Sequence, residues 1–294
     1  MDVSIIFVNY KTKVLTINAI KSVIEKTEGI EYEIFVVDNA SHDGSIEEIE
    51  LTFPNINIIK SSINGGFGYA NNLAIRQARG KYILCLNTDT LLVNNAIKIM
   101  FDFMEKEEHK NIGVCGGYLI NKDNVPCNAG GNLPSLANIF WKFGLRNLFK
   151  NYYIKHLCIT IDSDKIAEIG NIGYITGADI FFRKSVLDLV GFFDETFFMY
   201  YEETDLCKRI KDAGYDIKFV ENAKIKHLEN QSIDNKLKHS KLVKTSEYLY
   251  LRKHYKNKII IAKIMYILLY FIDWIFNKNT NSKELLKLTI KGEV

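Results

Sequence analysis

Residues 82–90 read YILCLNTDT. Five apolar residues, Tyr82 to Leu86, run without interruption into Asn87, Thr88 and Asp89. A run this short, bounded by turn-forming polar residues, predicts a buried strand that ends at a polar corner. Outward from it the pattern repeats. Residues 3–8, 34–37 and 56–59 are further apolar strand candidates. Between them, residues 14–24 carry Leu15, Ala19, Ile20, Val23 and Ile24 at helical spacing, and helices are expected near 69–78 and over 95–106. Ser45, followed by Glu48, predicts a capping box opening another short helix. Alternation of strands with helices predicts an α/β chain with a Rossmann-like, mostly parallel central sheet and helices on both faces.

From residue 112 the pattern changes. Gly116-Gly117, Gly130-Gly131 and Pro134 predict a loop-rich stretch, with Trp141, Tyr152 and Tyr153 inside it. Regularity returns at 180–182, then in a helix over 203–213 closed by Gly214, then in two strands near 217–220 and 224–227. Beyond about residue 232 the chain reads as helical and basic.

A length of 294 residues fits one large domain, or one with an appendage, and 47% hydrophobic residues allow a sizeable core. The net charge of +3 is too small to argue for nucleic acid as a partner. Five cysteines without CxxC or metal-type spacing read as reduced thiols. Asp2 stands where a secretory leader would carry positive charge, so a cytoplasmic location is expected.

In a parallel sheet, ligands bind outside the carboxyl ends of the strands. Asn9 and Tyr10 follow the first strand, Asp38 and Asn39 the second, and Asn87, Thr88 and Asp89 the one quoted above. A single such residue is usually a turn or cap; three clusters in one register point to a shared crevice. The stretch NGGFGYANN (64–72) between a strand and a helix would let backbone N–H groups approach a phosphate or ribose, although it is not the GxGxxG fingerprint. Asp89 suffices to hold Mg2+ or Mn2+ beside a diphosphate, because phosphate oxygens and water fill the other positions. His227 is a candidate second ligand if the ion is Mn2+; a structural histidine is the alternative. In FFMYYEETDL (197–206) aromatic residues precede Glu202, Glu203 and Asp205. These acids either favour a helix N-terminus or include a general base whose pKa is raised by apolar surroundings.

Together, VVDNASHDGS (36–45), NGGFGYANN (64–72), LNTDT (86–90), TGADIFFRKSV (176–186) and GFFDETFFMYYEETDLCKRIKDAGY (191–215) resemble family 2 glycosyltransferases of the GT-A fold. The likeness is to the rhamnosyltransferase-like members that build bacterial surface polysaccharides, and it spans about residues 3–232. It implies a GT-A domain over 1–231, with a nucleotide-binding half (1–110) and an acceptor-binding half (111–231), followed by a tail over 232–294. It further implies that Asp38 binds the nucleobase of a dTDP- or UDP-sugar, with Val8, Asn9, Tyr10, Asn64, Gly66, Phe67 and Asn71 around base and ribose. Asn87, Thr88, Gly177 and Ala178 would line the donor site, and Asp89 and His227 would hold Mg2+ or Mn2+. The family's base is usually the Asp of a Glu-Asp pair. Here the pair is Glu202-Glu203, so Glu203 takes that role with one extra methylene, and Glu202 is the alternative.

The implied reaction is metal-dependent transfer with inversion, from dTDP-rhamnose by subgroup resemblance, to a glycan or polyprenyl-linked glycan. UDP-hexose or UDP-N-acetylhexosamine transfer is the alternative within the fold. A nucleotidyltransferase would want Lys or Arg in its phosphate loop, and 64–72 has neither; a non-catalytic sugar-nucleotide binder is the remaining rival. Residues 259–276 form an 18-residue run whose only charges are Lys263 and Asp273, flanked by Arg252, Lys253, Lys256, Lys258 and Lys278. This pattern predicts a helix lying on the inner face of an anionic membrane; a packed or dimerising helix, or a membrane span, is the alternative.

Overall fold

The computed structural model describes residues 1–169, 172–228 and 236–291. The amino-terminal strands are β1 (Val3–Asn9), β2 (Tyr32–Asp38), β3 (Asn57–Lys60), β4 (Tyr82–Leu86) and β5 (Thr90–Leu92). The helices α1 (Lys13–Lys26), α2 (Ser45–Thr52), α3 (Phe67–Ile75) and α4 (Ala96–Glu105) alternate with them. Strand β6 (Ile112–Ile120) follows, then a three-stranded antiparallel sheet of β7 (Asn128–Gly131), β8 (Ile161–Asp162) and β9 (Tyr174–Ile175). Three short helices, α5 (Leu136–Trp141), α6 (Leu145–Leu148) and α7 (Lys150–His156), lie between β7 and β8. Strand β10 (Asp179–Arg183), α8 (Lys184–Val190), α9 (Glu202–Asp212) and β11 (Asp216–His227) complete the central sheet, and α10 (Lys236–His254), α11 (Ile259–Asn277) and α12 (Thr280–Lys291) follow.

The central sheet has the order β3-β2-β1-β4-β10-β6-β11-β5. Strands β3, β2, β1 and β4 are mutually parallel, and so are β6 and β11; β10 and β5 run antiparallel to their neighbours. This is the mostly parallel central sheet that the alternation predicts. Strands β1, β2 and β4 bury both faces, because helices cover the sheet on two sides, whereas the edge strand β3 is partly exposed. Val3, Ile5 and Phe7 point into one core with Ile20 and Val23 of α1, Ile49 of α2 and Met100 of α4. Ile6 points into the other with Ala74 of α3, Leu187 of α8 and Ile210 of α9. Each of the larger ones (Val, Ile, Leu, Phe, Met) contributes about 1.5–3 kcal/mol by leaving water.

Three expectations need correction. Residues 112–120 form a strand, not a loop. Gly116 and Gly117 lie inside it because the neighbouring chain comes too close for side chains: a Cβ at Gly117 would sit 2.5 Å from the Ala223 carbonyl oxygen. The two strands expected at 217–220 and 224–227 are one, β11, with an irregularity between Val220 and Lys224. The capping box at Ser45 is absent. Gly44 occupies the cap with φ 74°, Ser45 is the first helical residue, and Glu48 pairs with Lys13 at 2.7 Å.

Helices α10 and α11 pack onto the preceding part of the chain. Tyr250 and Leu251 of α10 are buried in one cluster with Phe197, Ile139 and the Ala262 and Tyr266 side of α11. The boundary expected at 231/232 falls outside the described residues. All five cysteines are free thiols.

Candidate active site

The parallel pairing of β1 with β2 sets Asn9 directly beside Asp38. Asn9 is fully buried; its Nδ2 donates to Asp38 Oδ1 (2.9 Å) and Ser45 Oγ (2.8 Å), and its Oδ1 accepts from Thr16 Oγ1 (3.0 Å). Its role is therefore to hold Asp38 rather than to offer free polar atoms. Asp38 also accepts from the Ser41 N–H at 3.2 Å. Val8 is half-buried beside them, and Tyr10 is exposed with Lys11 over its ring.

Asn39 ties this end of β2 to the glycine loop. Its amide donates to Asn64 Oδ1 (2.9 Å) and to the Gly66 carbonyl (3.2 Å), and its Oδ1 accepts from the Gly65 N–H (3.2 Å). Gly66 has φ 90°, and a Cβ there would lie 2.0 Å from the Phe198 carbonyl oxygen. That same oxygen accepts the Phe67 N–H at 3.0 Å. Of the expected donor residues, Asn71 is turned away: it is fully buried, and its Nδ2 bonds back to the Phe67 carbonyl at 3.0 Å.

Beyond β4 the chain makes a tight turn, with Thr90 Oγ1 donating to the Asn87 carbonyl at 2.6 Å. Thr88 is buried, and its hydroxyl reaches Thr12 at 3.2 Å. Strand β5 then pairs antiparallel with β11, setting Thr90 opposite His227. This brings Asp89 Oδ1 to 3.4 Å from His227 Nε2, with both side chains partly open to solvent. Two such groups on one side of the sheet fit a divalent ion whose other positions are filled by phosphate oxygens and water. No group of three or more His, Cys, Asp or Glu side chains suited to a metal occurs among the described residues.

The segment before β10 joins the two acidic regions. Asn87 N–H donates to the Ala178 carbonyl at 3.0 Å. One residue earlier, a Cβ at Gly177 would stand 3.6 Å from the Phe67 ring and 4.0 Å from Glu203 Cγ. The Asp89 turn and Glu203 thus flank one short stretch of chain. Glu202 faces the other way: it is buried, and its Cβ lies 3.6 Å from where a Cβ of Gly68 would be. Its Oε2 has no hydrogen-bond partner. Burial and the adjacent Glu203 charge push its pKa well above the carboxylate range. Burial also raises Glu203, to about 7, against the pull of backbone N–H groups and the Thr204 hydroxyl.

Ahead of this pair, Tyr200 and Tyr201 have φ of 68° and 69°. Left-handed backbone at residues with a Cβ costs about 1–3 kcal/mol each and persists only where the surroundings enforce it.

Comparison with known proteins follows the same lines. Residues 4–160 match the sequence profile of glycosyl transferase family 2, more than half of the 294-residue chain. The chain belongs to that family. It is 26% identical over 220 residues to a low-salt glycan biosynthesis hexosyltransferase of Haloferax volcanii, covering 74% of this chain and 64% of that protein. It is 23% identical over 207 residues to an N-acetylglucosaminyl-diphospho-decaprenol L-rhamnosyltransferase of Mycobacterium tuberculosis, covering 66% of each. The matches thus span just under two thirds of the length of these relatives. Among solved structures, a mannosyltransferase from Pyrobaculum calidifontis in complex with GDP-Man and Mn2+ superposes with a TM-score of 0.61 at 12% identity, covering 92% of this chain and 71% of that one. At that identity the likeness speaks for the fold.

Two features of this family 2 chain escape the motif reading. Asp205, counted with Glu202 and Glu203 from sequence, is not beside the crevice. It is fully buried and bonded to Arg209 Nε (2.9 Å), Lys253 Nζ (2.8 Å) and His254 Nε2 (2.7 Å). Its spacing to Arg209, four residues on, is the one signal that could have assigned it. Asp179 lies beneath the Ala178 corner, fully buried, with Oδ2 accepting the Gly117 N–H at 2.6 Å. Burial raises its pKa to about 8, opposed by that N–H and by His227.

Proposed function

We propose that this chain transfers a sugar from a nucleoside diphosphate to a hydroxyl acceptor by a single inverting displacement. The observation that carries the reading is the Gly177-Ala178 segment, flanked on one side by the Asp89 turn and on the other by Glu203. Asp38, held by Asn9 and Ser41, would receive the nucleobase, with the 64–67 loop along the ribose. Asp89 and His227 would hold Mg2+ or Mn2+, which when bound would neutralise charge growing on the leaving diphosphate. Glu203 would take the proton of the acceptor hydroxyl as that oxygen attacks the anomeric carbon. A carboxyl raised toward neutrality is a better base at physiological pH than an ordinary one. The proton then resides on Glu203 and the sugar on the acceptor oxygen.

The donor we favour is dTDP-rhamnose, supported by the name of the mycobacterial relative; UDP-hexoses and UDP-N-acetylhexosamines are the competing donors. The same relative supports a polyprenyl-diphosphate-linked glycan as acceptor. A location on the inner face of the membrane draws support from α11. Ile260, Ile261, Ile264, Leu268, Phe271, Ile272, Ile275 and Phe276 are all exposed. At 3.6 residues per turn they occupy one arc of roughly 160°. Asp273, the only acid in that helix, is engaged by Asn277 (2.7 Å) and Asn279 (2.8 Å). Lys256, Lys258 and Lys278 flank the apolar face, a pattern that suits anionic lipid. The deciding experiment is a panel of dTDP- and UDP-sugars scored for binding and hydrolysis, with and without EDTA. Hydrolysis of none of them, or binding unaffected by EDTA, would overturn the reading.

A further inference from the structure

The strained Tyr200–Tyr201 turn is held by helix α10, and both lie beyond the family's matched residues 4–160. Ser246 Oγ donates to the Met199 carbonyl at 2.7 Å. The Tyr201 ring packs against the fully buried Tyr250 at 5.7 Å between centroids, and the Tyr200 ring meets His239 edge-on at 5.2 Å. Lys253 Nζ bonds to Asp194 (2.6 Å) and Asp205 (2.9 Å) and lies 5.8 Å over the Phe197 ring. His254 Nε2 is 2.7 Å from Asp205 Oδ1. These contacts reach residues on either side of Glu202-Glu203, not the carboxyl groups themselves.

We infer that Ser246 and His254 are positioning residues for the reaction. Through Met199 and Asp205 they fix the left-handed turn and the first turns of α9, and so hold the Glu203 carboxyl beside Gly177. Two consecutive left-handed tyrosines would relax if α10 let go of either flank. A displacement of about 1 Å at a catalytic group can cost on the order of a hundredfold in rate. The inference rests on Glu203 being the base proposed above.

The test is steady-state hydrolysis by the full chain, using the dTDP- or UDP-sugar from the panel that turns over fastest. Ser246→Ala and His254→Gln are each expected to lower kcat about tenfold or more while donor KM stays within about twofold. Their far-UV circular dichroism should match the parent, and Ser246→Thr, which keeps the hydroxyl, should restore kcat. Parental kcat in both folded variants would overturn the inference. So would kcat and KM worsening together with loss of the dichroism signal, since that is the mark of a general folding role. Glu203→Gln run in parallel separates the two ideas. If it stays fully active, the base assignment fails; if it is dead while Ser246→Ala and His254→Gln are normal, only the positioning role fails.

Discussion

Glu202 and Glu203 are neighbours in the first turn of α9, yet their carboxyl groups have different surroundings. Glu202 is buried toward α3 with one oxygen unpartnered, whereas Glu203 is largely buried but keeps some exposure beside Gly177 and Phe67. Burial shifts both upward, and each carboxylate disfavours ionisation of the other. The outer carboxyl, beside Gly177, is the one placed to exchange a proton with a bound hydroxyl, whereas the inner one is enclosed.

Replacing each with glutamine should expose that division. Glu203→Gln is expected to reduce turnover by about 10²–10⁴-fold, the usual contribution of a general base. Glu202→Gln leaves the outer carboxyl in place and should keep most of the activity. The reverse ranking in steady-state assays would give the base role to Glu202.

Because the base must be unprotonated, kcat/KM should climb with pH through about 7 and then level off. Glu203→Asp should retain an acid limb, with lower activity because the carboxylate is withdrawn by a methylene. A pH profile flat between 5.5 and 8.5 would contradict the assignment.

Asp89→Ala should remove the dependence of donor binding on divalent ions. Isothermal titration of the donor nucleotide with and without Mn2+ is the measurement. Parent protein should bind tighter with the ion, and the variant should bind equally weakly in both conditions, with unchanged thermal stability. An undiminished Mn2+ effect in the variant would place the ion elsewhere.

Asp205 should matter for stability. Burial alone would raise its pKa, but bonds from His254 and Lys253 and the Arg209 charge hold it at about 2. The folded value lies below the unfolded one of about 3.9. The stabilisation is thus complete above the unfolded value and is lost as pH falls through the folded one. Asp205→Asn should cost about 3–5 kcal/mol at neutral pH, as expected when one partner of a buried ion cluster is removed. In urea melts the difference from the parent should shrink below about pH 4.

The exposed face of α11 should bind vesicles of anionic phospholipid and release them as salt rises. Ile264→Glu with Leu268→Glu should abolish co-sedimentation without changing donor hydrolysis. Dimerisation of the parent, lost in the double variant and without vesicle binding, would instead make a second copy the partner of that face.

Much of this was legible in residue order. Strands β1, β2 and β4 announce themselves because each buries both faces and so reads as a mostly apolar run. The polar residues at their ends stand out against that background, which is why Asp38 and Asp89 could be placed at strand ends. What could not be read depends on contacts between distant segments. Gly116 and Gly117 read as a loop because nothing local shows that Ile175 and Ala223 press against them. Asp205 reads as part of an acidic cluster because its cations, Lys253 and His254, arrive from a helix some fifty residues on. Ser45 looks like a cap because its actual partner, Asn9, lies at the end of another strand.

The contact of Gly66 with the Phe198 carbonyl has a consequence for protein engineering. The loop expected to meet the nucleotide and the loop that leads into Glu203 share a backbone hydrogen bond, and no side chain fits between them. Chimeras that exchange only the first 110 residues between relatives would break this seam. The exchangeable unit is discontinuous, the amino-terminal half together with residues 191–203, and recombination should respect that joint even though more than a hundred residues separate its two sides.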